Sequence, residues 1–104
     1  MFFSNDSIYP HTKQAYNNLM FVMYILRSLQ DNDLYIGSTS DLTRRLREHN
    51  TGLVKATKHR TPFKLVYAEA YADEGEARHR EQNLKLHGRA RRQLFDRIKK
   101  SLRA

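Results

Sequence analysis

The chain has 104 residues, 39% of them hydrophobic, and 19 Lys and Arg against 11 Asp and Glu give it a net charge of +8. A chain of this size builds one small domain and buries roughly 65% of the surface its unfolded form exposes. It has no cysteine, which excludes disulfides, zinc ribbons, iron–sulfur clusters and thiol catalysis, and no apolar run approaches the ~20 residues that span a bilayer.

Residues 1–19 carry Ser4, Asn5, Asp6, Ser7, Asn17 and Asn18 without a steady period, and read as a flexible lead-in to a domain over 20–104. The start lacks the basic and long apolar regions of a secretory signal, so a soluble, cytoplasmic setting without membrane association is expected. Phe21-Val22-Met23-Tyr24-Ile25-Leu26 is an unbroken apolar run, the pattern of a strand buried on both faces. Asp31-Asn32-Asp33 marks a turn into a second short strand, Leu34-Tyr35-Ile36-Gly37, and the two strands read as an antiparallel hairpin.

Ser40 or Asp41 can cap the helix that follows, in which Leu42, Leu46 and His49 recur at helical spacing before Asn50 and Gly52 stop it. Residues 53–62 form a loop rich in Lys, Thr, Arg and His. Phe63 to Tyr71 is the third strand, with Leu65, Tyr67 and Tyr71 expected on one face and Val66, Ala68 and Ala70 on the other. Asp73-x-x-Glu76 offers a capping-box-like start to a second helix reaching about His87, with Gly88 as its terminating residue. A third helix over about 90–102 aligns Leu94, Ile98 and Leu102. The order β-β-α-β-α-α gives an α/β (α+β) fold: a small three-stranded antiparallel sheet flanked by helices.

The charge is unevenly spread. Residues 1–43 carry a net −2 and residues 44–104 a net +10. That asymmetry is the electrostatic footprint of a nucleic-acid partner.

Three features depart from what the scaffold needs. Glu81 falls with Ala77, Leu84 and Gly88 on the helical face that should meet the sheet, where an unpaired charge is costly. It is either half of an ion pair with one of the many arginines or an oxygen ligand suited to Mg²⁺. Arg45 and His49 lie four apart and border the Leu42–Leu46 stripe, so both can point over the sheet edge. Tyr24 and Tyr35 come one from each hairpin strand; tyrosines there usually pack across strands, but a phenol pair can also hold or deprotonate a water.

Taken in order, Tyr24, Tyr35-Ile36-Gly37, Arg45-x-x-x-His49 and a helical Glu81 resemble the GIY-YIG endonuclease superfamily over about residues 21–88. The likeness is to its small stand-alone bacterial members, carried by Tyr35-Ile36-Gly37-Ser38-Thr39-Ser40-Asp41-Leu42, Arg45-Leu46-Arg47-Glu48-His49-Asn50, Lys64-Leu65-Val66-Tyr67 and Glu81-Gln82-Asn83-Leu84-Lys85. The first signature triplet reads Val22-Met23-Tyr24 and keeps only its tyrosine. The asparagine that many family nucleases place after the metal glutamate has no direct counterpart, and Gln93 is the candidate substitute.

The resemblance implies a metal-dependent phosphodiesterase acting on DNA. Glu81 would hold Mg²⁺ or Mn²⁺, Arg45 would neutralise a phosphate oxygen, and Tyr24 or Tyr35, assisted by His49, would take the proton of the attacking water. Lys58 and His59 in the loop, and Arg91 and Arg92 on the third helix, are the candidate phosphate contacts. A lone domain of this size would read structure or strandedness, with single-stranded or branched DNA favoured, and repair is the process such substrates suggest. The alternative is a non-catalytic basic module that binds DNA or RNA and keeps the fold. The sequence leaves the oligomeric state open.

Overall fold

A computed structural model describes residues 20–104; the lead-in expected at 1–19 lies outside them. Phe21–Ser28 forms β1, and Val22 through Leu26 are all buried, as an unbroken apolar run demands of a strand covered on both faces. A turn leads to β2, Leu34–Thr39. Ser28, itself fully buried, organises that turn: its amide donates to the Asp33 carbonyl and its hydroxyl oxygen accepts from the Gln30 and Asp31 amides. Asn32 sits at φ 63°, a left-handed conformation that asparagine tolerates better than most residues.

Helix α1, Leu42–Asn50, starts at Asp41, whose carboxylate accepts from the Arg44 amide at 3.0 Å. After a loop with one 3₁₀ turn, Lys58–Arg60, the chain enters β3, Phe63–Tyr71. The sheet order is β2-β1-β3, antiparallel throughout. Asn50 joins the end of α1 to the start of β3: its side-chain amide accepts from the Phe63 N–H at 2.6 Å and donates to the Phe63 carbonyl at 3.1 Å.

The expected facing of β3 is corrected. Ile25 pairs with Tyr67 but Leu26 pairs with Leu65, so Val66 is an extra residue at a bulge. Leu65 therefore packs with Val22, Tyr24, Leu26 and Phe63 beneath α1, whereas Tyr67 and Tyr71 join Met23, Ile25, Ile36, Leu84 and Leu94 on the opposite face. Full burial of each large apolar side chain contributes roughly 1.5–3 kcal/mol, and β1 supplies such residues to both clusters.

Helix α2, Glu74–Leu86, is capped by Asp73, which accepts from the Glu76 amide at 2.9 Å. Glu69 ties β3 to α2, accepting from the Tyr67 and Tyr71 hydroxyls and from two nitrogens of Arg80. Gly88 does not terminate α2 as the sequence suggests. It opens α3, Gly88–Arg97, because His87, at φ −121° and ψ 100°, makes the bend between the two helices. The expected third helix is also two: Ile98, at φ −113° and ψ 27°, separates α3 from α4, Lys99–Arg103. Leu94, Ile98 and Leu102 still reach one cluster, because the break falls between helical turns that face the sheet. Among the described residues no helix is long and apolar enough to cross a membrane.

Candidate active site

Leu42 and Leu46 anchor α1 against the cluster of Val22, Tyr24, Leu26 and Phe63, and the same helical face brings His49 inward at its last turn. His49 is fully buried. Its Nε2 stands 2.9 Å from the Tyr24 hydroxyl, and its Nδ1 stands 2.8 Å from Oγ1 of Thr57. Burial, reinforced by the Arg45 charge, pulls the imidazole pKa down to about 4, so the ring is neutral at neutral pH. Burial likewise pushes the Tyr24 phenol up to about 12, while the Arg45 guanidinium beside it pulls the other way. Both rings are uncharged at rest.

Tyr35 completes an aromatic group around His49: its ring centroid lies 5.0 Å from the imidazole edge-on and 6.4 Å from Tyr24. Phe63 closes the far side at 5.8 Å. The Tyr24 ring packs against Gly37, the β2 residue paired with it, where no side chain intervenes. The hairpin tyrosines expected from sequence are thus brought together, and Tyr24 is the one hydrogen-bonded to His49.

Glu81 lies on the other side of β2. Its Oε1 accepts from the Ser38 hydroxyl at 2.5 Å and its Oε2 pairs with Lys85 Nζ at 2.6 Å, one helical turn on. The basic partner is this lysine and no arginine. Lys85 also stands 5.7 Å from the centre of the Tyr35 ring, so it links the carboxylate to the phenol group. The Glu81 side chain keeps 19% of its surface exposed, enough for an ion to reach it. Among the described residues no three His, Cys, Asp or Glu gather around one point. A single accessible carboxylate beside a hydroxyl fits Mg²⁺ or Mn²⁺, which keep water ligands and share substrate phosphates; it does not fit an all-protein cage.

Arg45 pairs with Glu48 at 3.0 Å and remains partly exposed. With Arg44, Arg78, Ser38 and Ser40 it lines a polar pocket of about 250 Å³ at the end of β2. Lys58 and His59 are exposed on the 3₁₀ turn that follows Thr57. Arg91 is half-buried and donates to the Leu84 and Lys85 carbonyls at 2.9 and 3.2 Å, closing the end of α2. Arg92 and Gln93 point instead into a surface cavity of about 670 Å³ between α3 and α4. Sequence reasoning misses Thr57, which sits in an aperiodic loop. It also misses Ser38 and Lys85 as partners of Glu81, although the four-residue spacing to Lys85 was a readable signal.

The GIY-YIG catalytic domain matches residues 20–94. A UPF0213 protein of Streptococcus pneumoniae serotype 4 is 42% identical over 74 residues, covering 70% of this chain and 74% of that protein. A UPF0213 protein of Haloquadratum walsbyi is 42% identical over 64 residues, 61% of this chain and 72% of its own. UPF0213 protein YazA of Bacillus subtilis is 36% identical over 80 residues, 76% and 78% of the respective chains. No solved structure matches. With the domain matched from the first described residue into α3, and with Tyr24, Tyr35, Arg45, His49 and Glu81 disposed around one edge strand, the chain belongs to the GIY-YIG catalytic-domain family, a nuclease-type fold.

Proposed function

We propose that this protein is a divalent-metal-dependent endonuclease that hydrolyses DNA phosphodiester bonds, with single-stranded or branched DNA as its preferred substrate. The observation that carries the reading is Glu81. Binding a polyanion gives no reason to hold a partly exposed carboxylate at 2.5 Å from Ser38, across β2 from the tyrosine pair, whereas cutting one does. Mg²⁺ or Mn²⁺ on Glu81, when bound, supplies charge stabilisation for the phosphorane and the departing 3′-oxygen. Arg45 neutralises a non-bridging phosphate oxygen through its planar donor set.

Tyr24 takes the proton of the attacking water on its hydroxyl oxygen while its own proton passes along the 2.9 Å hydrogen bond to His49 Nε2. The water oxygen bonds to phosphorus, the bond to the 3′-oxygen breaks and that oxygen takes a proton from solvent water, and the imidazole returns its proton through the Tyr24 hydroxyl once product leaves. Because the transfers are coupled, neither a free phenolate nor a resting imidazolium has to accumulate. Tyr35 fixes the imidazole plane by its edge-on contact. Lys58, His59 and Arg92 carry the flanking phosphates. The setting is cytoplasmic and the process DNA repair, in which branched and single-stranded DNA arise.

One observation favours a second reading, a basic binding module without catalysis: the Lys85 ammonium already neutralises Glu81 at 2.6 Å. Incubation with labelled single-stranded, double-stranded and branched DNA, in Mg²⁺, Mn²⁺ or EDTA, separates the two. Metal-dependent cleavage products support the nuclease; retention without cleavage under every condition supports the module.

A further inference from the structure

Thr57 belongs to no part of the reaction described above, yet it is as completely buried as His49 and stands 2.8 Å from its Nδ1. A neutral imidazole carries one proton on one of its two nitrogens, and only the bare nitrogen accepts. Two arrangements satisfy the distances. In one, Nδ1–H donates to Thr57 Oγ1 and Nε2 accepts from Tyr24. In the other, Thr57 donates to Nδ1 and Nε2–H donates to Tyr24.

The surroundings choose between them. The Tyr24 hydroxyl is buried, and its polar neighbours are His49 and the Arg45 guanidinium. Arginine has no acceptor, so the phenolic proton has only Nε2 to go to. Nδ1 then carries the ring proton and must donate to Thr57. The Thr57 hydroxyl, its oxygen engaged as acceptor, can direct its own proton to the Val54 carbonyl, 3.5 Å away in the same loop turn. Every proton in the sequence Tyr24, His49, Thr57, Val54 thus runs one way.

We infer that Thr57 is a positioning residue that accepts the Nδ1–H of His49 and so holds the ring with its bare Nε2 against the Tyr24 hydroxyl. The inference deepens the nuclease reading and rests on it only for its consequence in catalysis; the tautomer itself is a property of the folded protein. Removing the Thr57 oxygen leaves a buried Nδ1–H without a partner, while the Tyr24 proton still has only Nε2 to go to, so the ring can find Nδ1 a partner only by turning away from the phenol. The hydrogen bond of the dyad is weakened although both rings remain buried. The dependence of an imidazole on its partner at the other nitrogen is general.

The test is ¹⁵N NMR of the histidine ring nitrogens in the intact protein, with Thr57→Val and Thr57→Ser beside it and cleavage measured on the same samples. Wild type and Thr57→Ser are expected to show a protonated Nδ1 and bare Nε2 at His49. Thr57→Val, nearly the same shape, is expected to keep the proton on Nδ1 but to shift the Nε2 resonance as the hydrogen bond to Tyr24 loosens, and to lose about 10²-fold or more in kcat with little change in KM, whereas Thr57→Ser keeps both. A wild-type protein with its proton on Nε2 overturns the inference whether or not the valine variant folds. So does a folded valine variant whose Nε2 resonance matches that of the wild type. If the tautomers behave as stated but no sample cuts DNA, the assignment of Thr57 holds and the nuclease reading fails.

Discussion

Gly37 faces Tyr24 directly across the β1–β2 pair, and a Cβ at that position would stand 2.5 Å from the phenolic oxygen and 2.6 Å from the ring carbon that bears it. The obstacle is a buried ring with no free volume to retreat into. Gly37→Ala is therefore expected to cost about 1–3 kcal/mol of stability and to displace the hydroxyl from His49. Urea unfolding of Gly37→Ala alone and in a Tyr24→Ala background checks this, since the penalty should largely vanish once the ring is gone. Equal penalties in both backgrounds would place the strain elsewhere.

Replacing the hairpin tyrosines by phenylalanine separates their roles. Tyr24→Phe leaves Nε2 of a buried imidazole unpaired, so about 1–3 kcal/mol of stability should go along with roughly 10²–10⁴-fold in cleavage rate. Tyr35→Phe keeps the edge-on contact with His49 and should lose less of both. Wild-type cleavage by both variants would make these packing residues only.

Glu81→Gln bears on the metal. Gln retains an acceptor for Ser38 and gives up the ion pair with Lys85, whose side chain is 44% exposed and readily solvated. The stability loss should stay below about 1 kcal/mol. Cleavage in Mg²⁺ should collapse, while DNA affinity without metal holds or rises slightly as a negative charge leaves. A strongly destabilised variant that still cuts DNA would end the assignment.

Acid should destabilise the protein partly through His49. The unfolded imidazole takes up a proton as pH falls past its ordinary 6.5, and the folded one waits until about 4. Between those values the unfolded chain binds more protons, so stability drops with acidification and the whole contribution, about 3 kcal/mol, is gone below 4. Denaturant unfolding of wild type and His49→Gln at pH 7 and near pH 4 should show the wild type losing more by about that amount. Parallel losses would mean that the ring is not buried neutral.

Charge reversal at two adjacent arginines should give different results. Arg91→Glu removes the cap on the Leu84 and Lys85 carbonyls and should cost about 1 kcal/mol of stability. Arg92→Glu should leave stability unchanged, weaken binding to all DNA sequences alike and flatten the salt dependence by about one unit of slope. An unaltered slope for Arg92→Glu moves the phosphate path toward Arg44, Arg45 and Arg78.

Much of this molecule is legible from residue pattern because its elements obey simple periods. The apolar run of β1, the Asp41 and Asp73 caps and the Leu42–Leu46–His49 stripe each announce themselves over a few residues. What is not legible depends on pairing between distant segments. The bulge at Val66 is set by register against β1, and no local feature of Phe63–Tyr71 signals it. Gly88 carries a strong stop signal, yet it begins a helix because the bend had already been made at His87. Thr57 gains its meaning only when the loop folds back on α1, and Ser38 only when β2 brings it to Glu81.

The alternation of β2 has a consequence for how this site can change. Tyr35 and Gly37 look toward the imidazole, while Ile36 and Ser38 look toward Leu84 and Glu81, so one strand serves two half-sites exactly out of phase. Substitution can retune either half alone. Inserting or deleting a single residue between Ser28 and Leu34 shifts the reading frame of the strand: a deletion sets Ser38 over the Tyr24 ring and Thr39 against the carboxylate, and an insertion sets Ile36 over the ring and Gly37 against the carboxylate. The buried Ser28 hydroxyl, which gathers the Gln30 and Asp31 amides and donates to the Arg60 carbonyl, therefore acts as the frame marker for chemistry performed at the other end of the hairpin.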